Sequence, residues 1–299
     1  MVPPPASPNG LVVVDKPAGW TSHDCVARCR KLLGTRKVGH AGTLDPDATG
    51  VLLVGAGSAT RLLRFLGPLR KSYVGEVVLG TATSTLDAAG EVTGTWDMSG
   101  VTAEAVGSAT RSFTGEILQV PPMVSAVSVG GHRLHALARA GIEVERAARP
   151  VTVHRLTARP TSDPLVYRLD VECSSGTYVR VLAAELGAAL GGGAHLRALR
   201  RTAVGPFTEA RAVPLDQVAP ERLLPPLAAV GHLDRITVDA ELAAAVAHGR
   251  VLPSDAMGAQ GEGPWAVTDG EGHLLAVYED HGDGRAKPCV VLPQSFSEM

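Results

Sequence analysis

The chain has 299 residues, 45% of them hydrophobic, 19% charged and 4% aromatic, which suffices for a largely aliphatic core in one large or two smaller domains and excludes extended disorder. No apolar run approaches the ~20 residues that cross a bilayer, MVPPPASPNG lacks the features of a signal peptide, and four cysteines without a CxxC pair argue against a zinc ribbon or disulfide scaffold; a cytoplasmic protein is expected. Net charge is only −2, but residues 1–210 hold 22 Lys and Arg against 17 Asp and Glu and residues 211–299 hold 6 against 13, and the cations are 23 Arg to 5 Lys, a bias that suits phosphate and base stacking and that a GC-rich genome would also produce.

In chain order, residues 1–9 carry four prolines and read as a loose tail. LVVVDK predicts a buried strand, and Thr21 or Ser22 caps a helix whose core face carries Cys25, Val26, Cys29, Leu32 and Leu33, with Gly34 closing it. KVGHAGTLDPDATG reads as an ordered loop, VLLVGAG as a strand and SATRLLRFL as a short capped helix. KSYVGEVVLG predicts a strand, TATSTLDAAGEV a turn-rich connection and TAEAVGSATRSF a helix. Between Pro121 and Pro150, VSAVSVGG suggests a strand and HRLHALARAG a basic amphipathic helix. VTVHRLTARP and LVYRLDVECSSG predict strands, TYVRVLAAELGAAL a helix, and HLRALRRTAVG a strand whose alternation puts Arg197 and Arg201 on one side. The proline-rich residues 211–230 mark the domain boundary; beyond them ELAAAVAHGR is a helix and WAVTDGEGHLLAVYED a hairpin.

The loop GHAGTLDPDATG is the most informative segment, because glycines on both sides of Asp45 and Asp47 let backbone approach a ligand and fix the carboxylates. A plain turn capped by Asp45 is the competing reading. A metal site lacks the supporting ligand spacing, and a phosphate loop lacks the Gly-Lys-Ser/Thr signature.

GHAGTLDPDATGVLLVGAGSATRL closely resembles the catalytic motif of the TruB-type tRNA pseudouridine-55 synthases. The likeness continues in order through LVVVDKPAGWTSHD, KSYVGEVVLG, TSTLDAAGE, VPPMVSAV, GIEVERAARPV, CSSGTYVRVLAAELG and GAHLRALRRTAVGPF, covering roughly residues 10–210. The resemblance implies isomerisation of a uridine in RNA: the C1′–N1 bond breaks, the uracil turns, and C1′ joins C5, with no cofactor. By the same resemblance Asp45 is the catalytic carboxylate, acting at C1′ or removing the C2′ proton. Arg180 matches the arginine that pairs with it, and Tyr73 the tyrosine that stacks on the target base.

Substrate-binding positions implied by the family are His40, beside the gap left by the flipped nucleotide, Tyr178 and Leu199 as pocket walls, Asp87 near the substrate, and Lys16, which with Pro17 matches a KP element supporting the catalytic loop. Each has a plainer structural reading: His40 and Tyr178 as packing residues, Asp87 as a turn cap, Arg180 as a surface arginine. Arg133, Arg139, Arg146 and Arg149 lie in a segment, 121–150, that resembles the family's mobile flap over RNA. Val124 and Ser128 depart from the Tyr and Lys that many relatives carry there.

The fold expected is α/β (α+β), with a mixed, mainly antiparallel central sheet flanked by helices in residues 10–230, and a small β-rich, PUA-like domain in 231–299. The function expected is conversion of uridine 55 in the T loop of tRNA to pseudouridine, with the T stem-loop as partner, no metal and no obligate protein partner. Two rivals are a tRNA-folding chaperone in which modification is secondary, and an RNA N-glycosidase, which would break the same bond.

Overall fold

The structure is a computed structural model that describes residues 7–293 except 126, 135, 136, 138 and 139. Strand β1 (Gly10–Lys16) leads into helix α1 (Ser22–Leu33), started by a reciprocal capping box: the Thr21 side chain accepts from the Asp24 amide, and the Asp24 carboxylate accepts from the Thr21 amide. Gly34, in the left-handed region, ends the helix, and Cys25, Val26, Cys29 and Leu33 face the core as their spacing predicts. Strands β2 (Val38–Ala41) and β3 (Thr49–Ala56) follow. The first residues of the predicted loop are therefore a strand, because Val38–Ala41 pair along the second half of β3, and only residues 42–48 remain a loop.

The predicted helix at SATRLLRFL is a 3-10 turn (Gly57–Leu62) running into one α-turn, α2 (Leu63–Leu66). No residue of its own caps it. Asn9 does: its Oδ1 accepts from Ser58 Oγ (2.8 Å) and the Ala59 amide (3.1 Å), so the end of the supposedly loose tail is fixed. Strand β4 (Lys71–Leu79) is followed by a hairpin, β5 (Thr81–Thr83) and β6 (Val92–Thr95), where a turn-rich connection is predicted. Helix α3 (Ala103–Ser112) and strand β7 (Gly115–Gln119) lead to two-residue strands β8 (Ser128–Val129) and β9 (His132–Arg133). Of the helix predicted over HRLHALARAG, His132 and Arg133 form β9 instead, because they pair with Ser128 and Val129, and Ala140 and Gly141 are in a turn, while residues 135, 136, 138 and 139, Arg139 among them, lie outside the described residues.

Strands β10 (Arg149–Pro160) and β11 (Val166–Cys173), helix α4 (Val179–Ala189) and strand β12 (Ala194–Val204) complete the main sheet with the short β13 (Phe207–Thr208) and β14 (Val213–Pro214). Its order is β14-β1-β3-β12-β4-β11-β10-β7, with β13 on β12 and β2 on β3. Only the β1–β14 and β3–β12 pairs are parallel, so the sheet is mixed and mainly antiparallel. The β3–β12 join carries the site: Arg200 and Arg201 lie opposite Thr49 and Gly50, and across β12 Arg201 lies opposite Tyr73. Gly50, at φ +99°, permits this join, since a Cβ there would lie 2.2 Å from the Arg201 carbonyl oxygen.

Arg197 and Arg201 do not share a side. Register shifts between Leu196 and Ala198, leaving Arg197 as the extra residue, so Arg197 reaches Glu76 on the exposed face while Arg201 is fully buried on the other.

The C-terminal part holds β15 (Asp234–Thr237), α5 (Ala240–Ala247), β16 (Leu252–Pro253), β17 (Trp265–Thr268), β18 (Leu274–Gly282) and β19 (Arg285–Val291) in a second sheet ordered β15-β17-β18-β19-β16. It is packed onto the main sheet: Ala229, Val230, Val277, Val290 and Leu292 share one apolar cluster with Leu11, Val13, Val51 and Leu53. Residues 211–230 are built into this contact, with Leu224 bridged to Leu11 and Val213 and Pro214 paired to β1. No helix among the described residues is long and apolar enough to cross a membrane.

Candidate active site

Loop 42–48 is held from four directions. Lys16, fully buried at the end of β1, donates from Nζ to the carbonyls of Pro17 (2.9 Å), Trp20 (2.6 Å) and Pro46 (2.7 Å). Gly19 N donates to the same Pro46 oxygen. Ser22, at the start of α1, accepts from the Leu44 amide (2.9 Å) and donates to its carbonyl (3.2 Å). From below, Arg201 donates to the carbonyls of Val51 (2.7 Å), Thr43 (3.4 Å) and Gly42 (3.0 Å). Leu44 and Ala48 are buried in the core beside Tyr73, and of the loop's two carboxylates it is Asp45 that lines a cavity with Tyr73 and Tyr178.

Helix α4 presents Arg180 to it, and all three guanidinium nitrogens have partners. Nε meets Asp45 Oδ2 at 3.0 Å and Nη2 meets Asp45 Oδ1 at 3.2 Å, a bidentate pair; Nη2 also donates to the Val124 carbonyl at 2.9 Å. Nη1 donates to the Thr85 carbonyl (3.0 Å) and meets Asp87 Oδ2 at 3.3 Å. Asp87 is itself fixed by Thr85 Oγ1 and the Ala89 amide, so Arg180 sits between two carboxylates delivered by loops far apart in sequence. The Val124 contact uses backbone, so the departure from tyrosine at this position leaves it intact.

The Arg180 side chain is 4% exposed, whereas that of Asp45 keeps 41% of its surface open toward the cavity. Its surroundings still push the Asp45 carboxyl above the ordinary aspartate range: burial is the largest cause, Arg180 pulls the other way, and the like charge of Asp87 adds to the rise.

A cavity of about 260 Å³ opens beside Asp45, lined by Asp45, Tyr73, Tyr178, Arg180 and Leu199 from the predicted set. Lys71, Ser125 and Arg201 line it too. Burial raises the Tyr73 hydroxyl, and Arg201 opposes that rise. A second cavity, about 200 Å³, lies on the other side of the Asp45–Arg180 pair between Asp87, Val124 and Leu199. A larger hollow, about 970 Å³, is a separate groove between α1 and residues 214–216 that contains neither Asp45 nor Arg180.

Two predicted residues stand elsewhere. Lys16, placed among the substrate-binding positions, is sealed from the first cavity and supports the loop instead, because its ammonium is saturated by three carbonyls. His40, on β2, lines neither of the two cavities beside Asp45; its ring packs edge-on against His23 at 5.4 Å, and burial lowers its pKa. In the predicted flap, Arg146 donates to the Pro121 carbonyl and pairs with Glu143. No group of three or more His, Cys, Asp or Glu among the described residues is placed to hold a metal ion.

Three supporting residues escaped the sequence reading. Arg201 and Lys71 sit in strand patterns where a charged side chain reads as exposed, and Gln119 ends β7. The Gln119 side chain, 1% exposed as a residue, accepts from the Tyr178 amide (2.9 Å) and donates to its carbonyl (3.3 Å), clamping the residue that opens α4. A glutamine just ahead of PP was the available signal.

Comparison with known proteins decides the family. Residues 30–179 match the model of the TruB family pseudouridylate synthase (N terminal domain), 180–239 that of the tRNA pseudouridylate synthase B C-terminal domain, and 233–293 that of tRNA Pseudouridine synthase II, C terminal. The chain belongs to the TruB family of pseudouridylate synthases. It is 50% identical to a tRNA pseudouridine synthase B of Rhodococcus jostii (strain RHA1) over 96% of this chain and 95% of that one, and 48% identical to that of Thermobifida fusca (strain YX) over 96% and 99%. Among solved structures it resembles a chain in "Structure of H/ACA RNP bound to a substrate RNA containing 2'-deoxyuridine" (TM-score 0.73, 25% identity, 97% of this chain and 87% of that one) and one in "Crystal Structure of a Cbf5-Nop10-Gar1 Complex" (TM-score 0.72, 28% identity, 96% and 84%). As a TruB-family member the chain is an enzyme, an isomerase, and the mixed sheet with its β-rich C-terminal part is the fold of these neighbours.

Proposed function

We propose that this TruB-family enzyme converts uridine 55 in the T loop of tRNA to pseudouridine, with Asp45 as the catalytic carboxylate. The observation that carries the reading is the bidentate Asp45–Arg180 pair at the edge of a cavity about 260 Å³ in volume, walled by Tyr73, Tyr178 and Leu199. A uridine inside a folded stem-loop offers neither C1′ nor C5 to a side chain, so the nucleotide must leave its stack, at a cost of a few kcal/mol that stacking and phosphate contacts offset. Tyr73 supplies an aromatic face for the displaced base, and Leu199 and Tyr178 close the walls.

Asp45 then acts at the sugar. As an ionised carboxylate it either attacks C1′ or removes the C2′ proton, and in both routes the C1′–N1 bonding pair departs with the uracil. The base turns, its C5 bonds to C1′, the C5 proton leaves and N1 is protonated; atoms and electrons balance without a cofactor. Arg180 keeps the carboxylate aimed and charged as the base enters and water leaves. We read His40, outside the cavity, as a contact to the RNA from which the nucleotide is taken. Incubating the protein with unmodified tRNA and mapping isomerised uridines tests the reading: product at position 55 supports it, and a tRNA left unchanged refutes it.

A further inference from the structure

Under the cavity the fold buries two positive charges with no carboxylate against either. Arg201 is fully buried and Lys71 is 6% exposed; their donors go to backbone carbonyls, with Lys71 Nζ 2.8 Å from both Gly67 O and Leu69 O, and Arg201 also bonds the Tyr73 hydroxyl. Neither is within 4.0 Å of a carboxylate oxygen among the described residues. Both line the cavity and flank Gly42: a Cβ on Gly42 would meet Arg201 Nη1 and Lys71 Cε, each at 3.6 Å. Arg180, which also lines the cavity, is already matched by Asp45 and Asp87. An unpaired buried cation is costly to maintain, so two of them facing one cavity call for an anion that arrives there.

The reaction supplies one. When C1′–N1 breaks, the bonding pair stays on N1 and spreads to O2 and O4, so the detached uracil is an anion until C5 bonds to C1′ and N1 regains a proton. We propose that Lys71 and Arg201 form a cationic floor that stabilises the detached uracil anion. Fixed charges placed where negative charge develops lower a barrier without reorganising during the step. Burial, reinforced by Arg201, brings the Lys71 ammonium down to about 8, so it remains charged through neutral pH. The floor serves the nucleophilic and the C2′-deprotonation routes alike, since both release the same base. The inference rests on reading the Asp45 cavity as the place of bond cleavage.

The test is the single-turnover rate of Lys71→Gln, with Arg201→Gln as a second variant, on a T-stem-loop RNA carrying uridine or 6-azauridine at the target. The 6-aza base bears negative charge more readily and keeps the C5 proton. On uridine, Lys71→Gln should be slower by about 10²-fold, the loss typical of one charge-stabilising donor, while RNA affinity stays within about twofold and Lys71→Arg recovers most of the rate. On 6-azauridine the defect should shrink about tenfold or more. Equal fold-losses on the two RNAs in both Gln variants would overturn the floor alone, because a merely loosened loop slows both substrates alike. Wild-type protein that isomerises neither RNA would overturn the reading of the cavity and the floor with it.

Discussion

Arg180 and Asp45 face each other edge to edge, Nε to Oδ2 at 3.0 Å and Nη2 to Oδ1 at 3.2 Å, although 135 positions separate them in the chain. The pair locks the direction of the carboxylate as well as its charge, and the remaining Arg180 donors tie it to the loops carrying Thr85, Asp87 and Val124.

Asp45→Asn is close to isosteric and removes the group proposed to act at the sugar. The variant should bind a T stem-loop with near wild-type affinity and form no pseudouridine; normal product would remove Asp45 from the mechanism. Refolding of tRNA by the same variant separates a chaperone activity from modification. With the wild-type protein, uracil should stay in the isomerised nucleotide, and free uracil would point to glycosidase chemistry.

Arg180→Lys retains a positive charge but offers three donors in place of five and no planar fork. Single-turnover isomerisation should fall by about 10²-fold with RNA binding changed no more than about threefold. Equal rates for variant and wild type would show that the bidentate geometry is dispensable.

The Asp45 carboxyl is raised by burial, with Asp87 adding to the rise, and a raised acid takes up its proton at higher pH. The acid limb of the pH–rate profile should therefore lie above the ordinary aspartate value of 3.8. Asp87→Asn removes a like charge, which lowers the Asp45 pKa and should move that limb to lower pH. A limb that stays in place, or moves up, contradicts the assignment.

Lys16→Met leaves three carbonyls, those of Pro17, Trp20 and Pro46, without their shared donor. Urea unfolding should show a loss of about 1–2 kcal/mol, the scale of lost hydrogen bonds to a charged donor less the relief of burying no charge. The rate should fall with loop order while RNA affinity changes little. Unchanged stability and rate together would contradict the support role.

What the sequence determined by itself was whatever a few neighbouring residues decide. A helix cap at Thr21 or Ser22, Gly34 as the helix stop, the alternation in KSYVGEVVL and the glycine-flanked Asp45 loop are local matters of backbone freedom and side-chain reach, and they were legible in the order of residues. The ordered motifs likewise pointed to the family that comparison shows. The tertiary structure alone decided which side chains meet: a single extra residue at Arg197 reversed the alternation along β12 and turned Arg201 inward, and Asn9, Gln119 and Lys71 found partners through strand register and loop docking. Strand register and loop docking depend on packing summed over the sheet, so a charged residue bound for the interior and one bound for solvent look the same along the chain until their neighbours are in place.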